Sequence, residues 1–126
     1  MIESQAVMDL PAALDRLDGD QELFLTLAEL FVERSGQALD AIQTAFSAQD
    51  LPVLVKEAHK LKGSAMEFCA RPAVAAAAHL EESARKAAVQ DLPAAAEQAR
   101  TEVQRLTAAL PELMEKGFPS CPVTRN

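Results

Sequence analysis

Tryptophan and tyrosine are absent from this sequence, and aromatic residues amount to five phenylalanines in 126 residues. Alanine and leucine dominate instead, and both favour helix over strand. Glycine occurs only at positions 19, 36, 63 and 117, so the backbone has few points of special freedom. The two cysteines, Cys69 and Cys121, are far apart and fit no metal or redox spacing. They are expected to be reduced thiols. Positive charge is also scarce: Lys and Arg number 12 against 19 Asp and Glu, for a net charge of -7 and a pI near 4.8. That balance disfavours nucleic acid as the main partner, because phosphate backbones attract basic faces. It equally disfavours an anionic membrane surface. The N-terminal "MIESQAVMDL" lacks a basic leader, and no apolar run approaches the roughly 20 residues that span a bilayer. A cytoplasmic protein without membrane association is expected, of a length that suits one domain.

What is present is strong helix punctuation. The tripeptide Asp-Leu-Pro occurs at 9–11, 50–52 and 91–93. Each can open a helix, with Asp capping free N–H groups and Pro in the first turn, where its missing donor is not needed. Asp20 offers a further cap, and "ARPA" at 70–73 a break and restart. A short helix near 9–17 is predicted, then four longer ones near 20–47, 51–68, 72–89 and 92–116. Gly117 reads as a C-cap. Apolar stripes support these spans: Phe24, Leu27, Phe31, Ala38, Ile42 and Ala45; then Leu54, Ala58, Leu61, Ala65 and Phe68; then Ala73, Ala77, Leu80, Ala84 and Ala87. Short connections favour an all-α antiparallel four-helix bundle over residues 1–116, with the short N-terminal helix as a lid. The tail 117–126, with two prolines and no periodicity, is expected to be extended or disordered.

Residues 58–65, "AHKLKGSA", set a histidine among lysines with a glycine one turn later. At about 100° per residue, His59 lies roughly 140° from the Leu54–Phe68 stripe and Gly63 roughly 180°. The histidine therefore faces outward, with Lys56, Lys62 and Gly63 at i−3, i+3 and i+4. An exposed imidazole is largely neutral near pH 7 and nucleophilic. Lysines one turn away would stabilise an anionic group placed on it, and a missing side chain would let another protein approach. From Lys56 to Arg71 the basic residues Lys56, Lys60, Lys62 and Arg71 outnumber Glu57 and Glu67, a local excess of +2 on an acidic chain. A phosphoryl acceptor that docks to an acidic partner would have this pattern. His79 lies roughly 120° off its own stripe, lacks such neighbours and reads as surface. Leu25, Val32 and Leu39 line one flank of the long helix, and Leu23 and Leu30 the other. Part of this excess apolar surface, with Val55 and Met66, is expected to form a docking patch.

The segment "HKLKGSA" (59–65) resembles the signature of histidine-containing phosphotransfer (HPt) domains of two-component phosphorelays, His-x-Leu-Lys-Gly-Ser/Gly-Ser/Ala. "DLPAALDRLDGDQELFLTLAELFVERS" resembles the family's leading segment and "HLEESARK" (79–86) its following helix, so that the likeness runs over roughly residues 9–110. It implies a four-helix bundle in which His59 is phosphorylated, Lys62 neutralises phosphate oxygens and Gly63 leaves room for a partner. Glu81 would orient His59 through Nδ1–H; its other reading is an exposed salt bridge with Arg85 at i+4. The implied partners are receiver domains of response regulators and a sensor or hybrid histidine kinase. Receiver Mg²⁺ would be used, with no cofactor or metal of the chain's own, no ATP site and no enzymatic turnover. A stand-alone, monomeric carrier is expected ahead of a module of a larger kinase. A pseudo-HPt module that only binds partners is the alternative, against which His59 and Lys62 argue. One departure is that Cys69 stands where the family usually has glycine.

Overall fold

The computed structural model describes residues 7–116, with side chains described as far as residue 112. The expected C-cap at Gly117, the tail 117–126 and Cys121 lie outside the described residues. Among the described residues five helices follow one another: α1 (Leu10–Arg16), α2 (Gln21–Ala48), α3 (Leu51–Met66), α4 (Arg71–Arg85) and α5 (Leu92–Lys116). The starts are set by local chemistry. The carboxylates of Asp9, Asp20 and Asp50 accept from the N–H groups of Ala12, Leu23 and Val53 at 3.1, 3.0 and 3.3 Å. At the third Asp-Leu-Pro the Ala95 N–H donates to the Asp91 carbonyl at 3.0 Å, the same backbone bond that Ala13, Phe24 and Leu54 make to Asp9, Asp20 and Asp50.

The ends are set by left-handed residues. Gln49, Cys69 and Ala87 have φ of 56°, 49° and 54°, and Gly19 has 77°. In each case the next residue, or Gly19 itself, closes a bond to a carbonyl five positions back: Asp50 to Ala45, Ala70 to Ala65, Ala88 to Ser83 and Gly19 to Leu14. The predicted third long helix therefore stops at Arg85 rather than 89. Ala87, expected on its apolar stripe, is instead exposed in the turn. Cys69 adopts the conformation for which glycine is the usual residue, so its presence does not alter the turn.

The long helices form a closed ring: α2 packs on α3 and α5, and α4 packs on the same two. The connections at 49–50, 67–70 and 86–91 are too short to run back along a helix, so consecutive helices are antiparallel. The core holds Phe24, Phe31 and Ile42 of α2, the whole Leu54–Ala65 stripe of α3, Ala73, Ala77, Leu80 and Ala84 of α4, and Val103, Leu106 and Leu110 of α5. Leu27 and Ala38 are only partly buried, because Ala28 and Ser35 take the innermost line of α2. Phe68 lies beyond the end of α3 yet is fully buried, with its ring edge-on to Phe24 and Phe31 at centroid distances of 5.6 and 5.4 Å. The lid expectation holds: Leu10, Ala13 and Leu14 of α1 enter the core. Arg16 Nη1 donates to the Met66 carbonyl at 2.9 Å, and the Asp9 N–H to the Cys69 carbonyl at 3.0 Å, pinning α1 over the α3–α4 turn. No helix among the described residues is long and apolar enough to cross a membrane.

Candidate functional site

His59 projects from the middle of α3 with its side chain 66% exposed. Across the α3–α4 contact, its Nδ1 lies 2.9 Å from Oε2 of Glu81. Glu81 is buried, because α4 is covered on two sides, by α3 and by α5, and its inward face is correspondingly broad. A buried carboxylate needs compensation, and two cations supply it. Lys62 Nζ is 2.8 Å from Oε1, and Arg85 Nη2 is 2.8 Å from Oε2. Those bonds, Lys62 first and then Arg85, outweigh burial and hold the Glu81 pKa down to about 2. Arg85 is in turn pushed further toward its charged form by Glu81.

The protonation of His59 follows. An ionised carboxylate accepts hydrogen bonds and donates none. Nδ1 must therefore carry the proton that it gives to Glu81, and in the neutral ring the lone pair is then on Nε2. The site presents a solvent-facing imidazole of fixed tautomer beside a lysine and an arginine. Chemically this is a nucleophilic nitrogen whose opposite side is braced by a negative charge.

The structure brings His59, Lys62 and Glu81 together as one cluster. The Glu81–Arg85 pair is present as well, but it is not the exposed surface bridge considered from sequence: the same carboxylate oxygen serves both His59 and Arg85. Sequence reasoning passed over Arg85 as anything more than a surface partner. The available signal was its i+4 position from Glu81, which places both on one face of α4. Gly63 is exposed, and a Cβ there would meet nothing among the described residues within 4 Å. Lys56 and Lys60 are exposed, Lys60 at 3.6 Å from Glu57. Met66 is 52% exposed, whereas Val55 is half-buried against the core. On the other side of α3, a groove of about 300 Å³ runs between it and α2, lined by Leu27, Leu30, Arg34, Leu61 and Ser64 among others. Leu23 and Leu30 are exposed, but Leu25, Val32 and Leu39 pack on the core. His79 is on the surface, as expected.

Comparison with known proteins agrees with this architecture. The family model described as Hpt domain matches residues 26–109, two-thirds of the chain and all of the His59 cluster. Among solved structures, histidine-containing phosphotransfer protein B from Pseudomonas aeruginosa PAO1 superposes with a TM-score of 0.80 at 24% identity, over 89% of this chain and 97% of that one. At that identity the likeness concerns the fold. No curated protein sequence gives a significant match.

Proposed function

Because the chain belongs to the Hpt domain family, we propose that it is a phosphocarrier that receives a phosphoryl group on Nε2 of His59 from the phospho-aspartate of one receiver domain and passes it to another. The reading rests above all on the contact between His59 Nδ1 and Glu81 at 2.9 Å, which puts the lone pair on the exposed side of the ring. In the forward step the Nε2 lone pair attacks phosphorus. An N–P bond forms as the P–O bond to the receiver's aspartate breaks, and the aspartate leaves as a carboxylate. The Nδ1 proton remains on the ring, and the positive charge that develops there faces Glu81. Delivery is the reverse at a second receiver. Mg²⁺ and the acidic pocket come with the receiver, as in other phosphoryl transfers. The chain contributes a nucleophile and a docking surface, so that positioning does most of the work. Lys62, 28% exposed and held on Glu81 Oε1 at 2.8 Å, would swing to neutralise phosphoryl oxygens. Lys56, Lys60, Val55, Met66 and the open space over Gly63 form the surface to which an acidic receiver or a kinase domain docks.

The test is transfer from a phosphorylated receiver in Mg²⁺, following acid-labile, base-stable label. Label on the wild type and none on His59→Gln supports the assignment. Wild type that stays unlabelled with several receivers and kinases points to a module that only binds partners, and equal label on the variant to the wrong histidine.

A further inference from the structure

Resting on the phosphocarrier reading, we infer that Arg85 is a positioning residue for His59: it holds the Glu81 carboxylate in place when Lys62 turns away to a phosphoryl group.

The two cations on Glu81 are not equivalent. Lys62 belongs to α3 and binds Oε1. Arg85 belongs to α4, four residues after Glu81, and binds Oε2, the oxygen that also takes the His59 proton. A phosphoryl group on Nε2 brings up to about two negative charges to the exposed side of the ring, one helical turn from Lys62 at i+3. The lysine, a flexible point charge, then has a partner more negative than one carboxylate. Its departure would strip a buried side chain, 5% exposed, of one counter-charge. A buried carboxylate left with too little compensation moves toward water or takes up a proton. Either change would remove the acceptor for Nδ1–H at the moment the ring carries the phosphoryl group. Arg85 prevents this, because its hold on Oε2 lies within α4 and needs nothing from α3. Its second arm, Nη1 at 3.3 Å from Glu82, steadies the guanidinium from the same helix. Lys62 is thus the cation that can be released, and Arg85 the one that stays.

Ring-nitrogen NMR of ¹⁵N-labelled protein tests this. It is done in a His79→Gln background, so that one imidazole reports. In the unphosphorylated protein above pH 8, Lys62→Ala and Arg85→Ala should each keep the Nδ1–H tautomer, since one cation remains. The double variant should lose it, with a shift in tautomer ratio on the order of tenfold, as expected for loss of a charged hydrogen bond. The phosphorylated form can be made with phosphoramidate, whose P–N bond breaks to release ammonia as the Nε2–P bond forms. There, Arg85→Ala alone should lower the pH at which Nδ1 gives up its proton by roughly one unit, a tenfold loss of proton affinity. Arg85→Lys should restore most of it. A double variant with the wild-type tautomer ratio, or a phosphorylated Arg85→Ala that titrates like wild type, overturns the inference. The tautomer measurement needs no phosphoryl transfer. A chain that no receiver phosphorylates would therefore defeat the carrier reading, yet leave the division between Lys62 and Arg85 to be judged by its own result.

Discussion

Nδ1 of His59 and Oε2 of Glu81 stand 2.9 Å apart across the α3–α4 contact, and one is two-thirds exposed while the other is buried. The buried partner is held by Lys62 and Arg85, and it in turn orients the exposed ring. Substitution of Glu81 should therefore act on transfer through His59. Glu81→Gln keeps an oxygen that can accept from Nδ1–H but loses the charge, and Glu81→Ala loses both. A hydrogen bond to a charged group contributes about 1.5–3 kcal/mol, so the alanine variant should transfer roughly 10- to 100-fold more slowly, with glutamine between it and wild type. Initial rates with one phosphorylated receiver give the order. Equal rates for all three proteins would deny Glu81 any role in orienting the ring.

The same carboxylate should leave its mark on acid stability. Its pKa is about 2 in the folded chain against 4.5 for an unperturbed glutamate, Lys62 being the largest cause. The folded state then binds fewer protons at this group than the unfolded state does, so stability rises with pH across that interval. Glu81's contribution is complete above about pH 4.5 and is lost as pH falls toward 2. Urea midpoints of wild type and Glu81→Gln, measured side by side, should differ most above pH 4.5 and converge below it. A gap that stayed constant from pH 6 to pH 2.5 would contradict the assigned pKa.

Ala87 offers a prediction about the fold itself. It is exposed and holds φ at 54°, where an L-residue is disfavoured by roughly 1–2 kcal/mol. Ala87→Gly removes that strain and sacrifices no packing, so it should stabilise the protein by about 1 kcal/mol. Ala108→Gly, on an exposed position inside α5, should cost about as much, since glycine there only weakens a helix. Thermal unfolding of the two variants should shift in opposite directions. Destabilisation by both would mean that Ala87 is not strained.

These two alanines also mark what the sequence could and could not disclose. Helix starts were legible because Asp9, Asp20 and Asp50 cap through side chains, a chemistry written in residue type. The ends were less so. Gln49, Cys69 and Ala87 all adopt the left-handed conformation without being glycine, so the usual stop signal is missing and α4 reads four residues too long. Outward exposure of His59 followed from counting degrees around one helix. The burial of Glu81 did not, because it depends on how α4 is seated between α3 and α5, which periodicity within α4 does not contain. Arg85 was hidden for the same reason: an i+4 pair is ordinary on a surface and becomes part of the site only when the carboxylate is buried.

Met66 bears on the proposed docking surface. It is 52% exposed two turns after His59 on the same helix. An aspartate there would remove apolar contact and set a negative charge against an acidic partner. Met66→Asp should slow transfer from receivers while phosphoramidate labels His59 at the wild-type rate. Val55→Asp should do likewise, at some cost in stability, since Val55 also packs on the core. Receiver-dependent rates unchanged by both substitutions would move the docking surface elsewhere.

Gly63 separates the needs of this chain from those of its partner. Glycine within a helix is unfavourable by about 0.5–1 kcal/mol relative to alanine. Nothing among the described residues explains it, since an added Cβ would meet none of them within 4 Å. A partner whose surface comes down close to His59 would explain it. Gly63→Ala should therefore raise the unfolding temperature by a few degrees, leave phosphoramidate labelling of His59 intact, and slow transfer from a phosphorylated receiver. The combination matters because a stabilised variant cannot owe its slower transfer to a damaged fold. A more stable variant that exchanged phosphoryl groups with receivers as fast as wild type would show that the space over Gly63 is not where the partner sits.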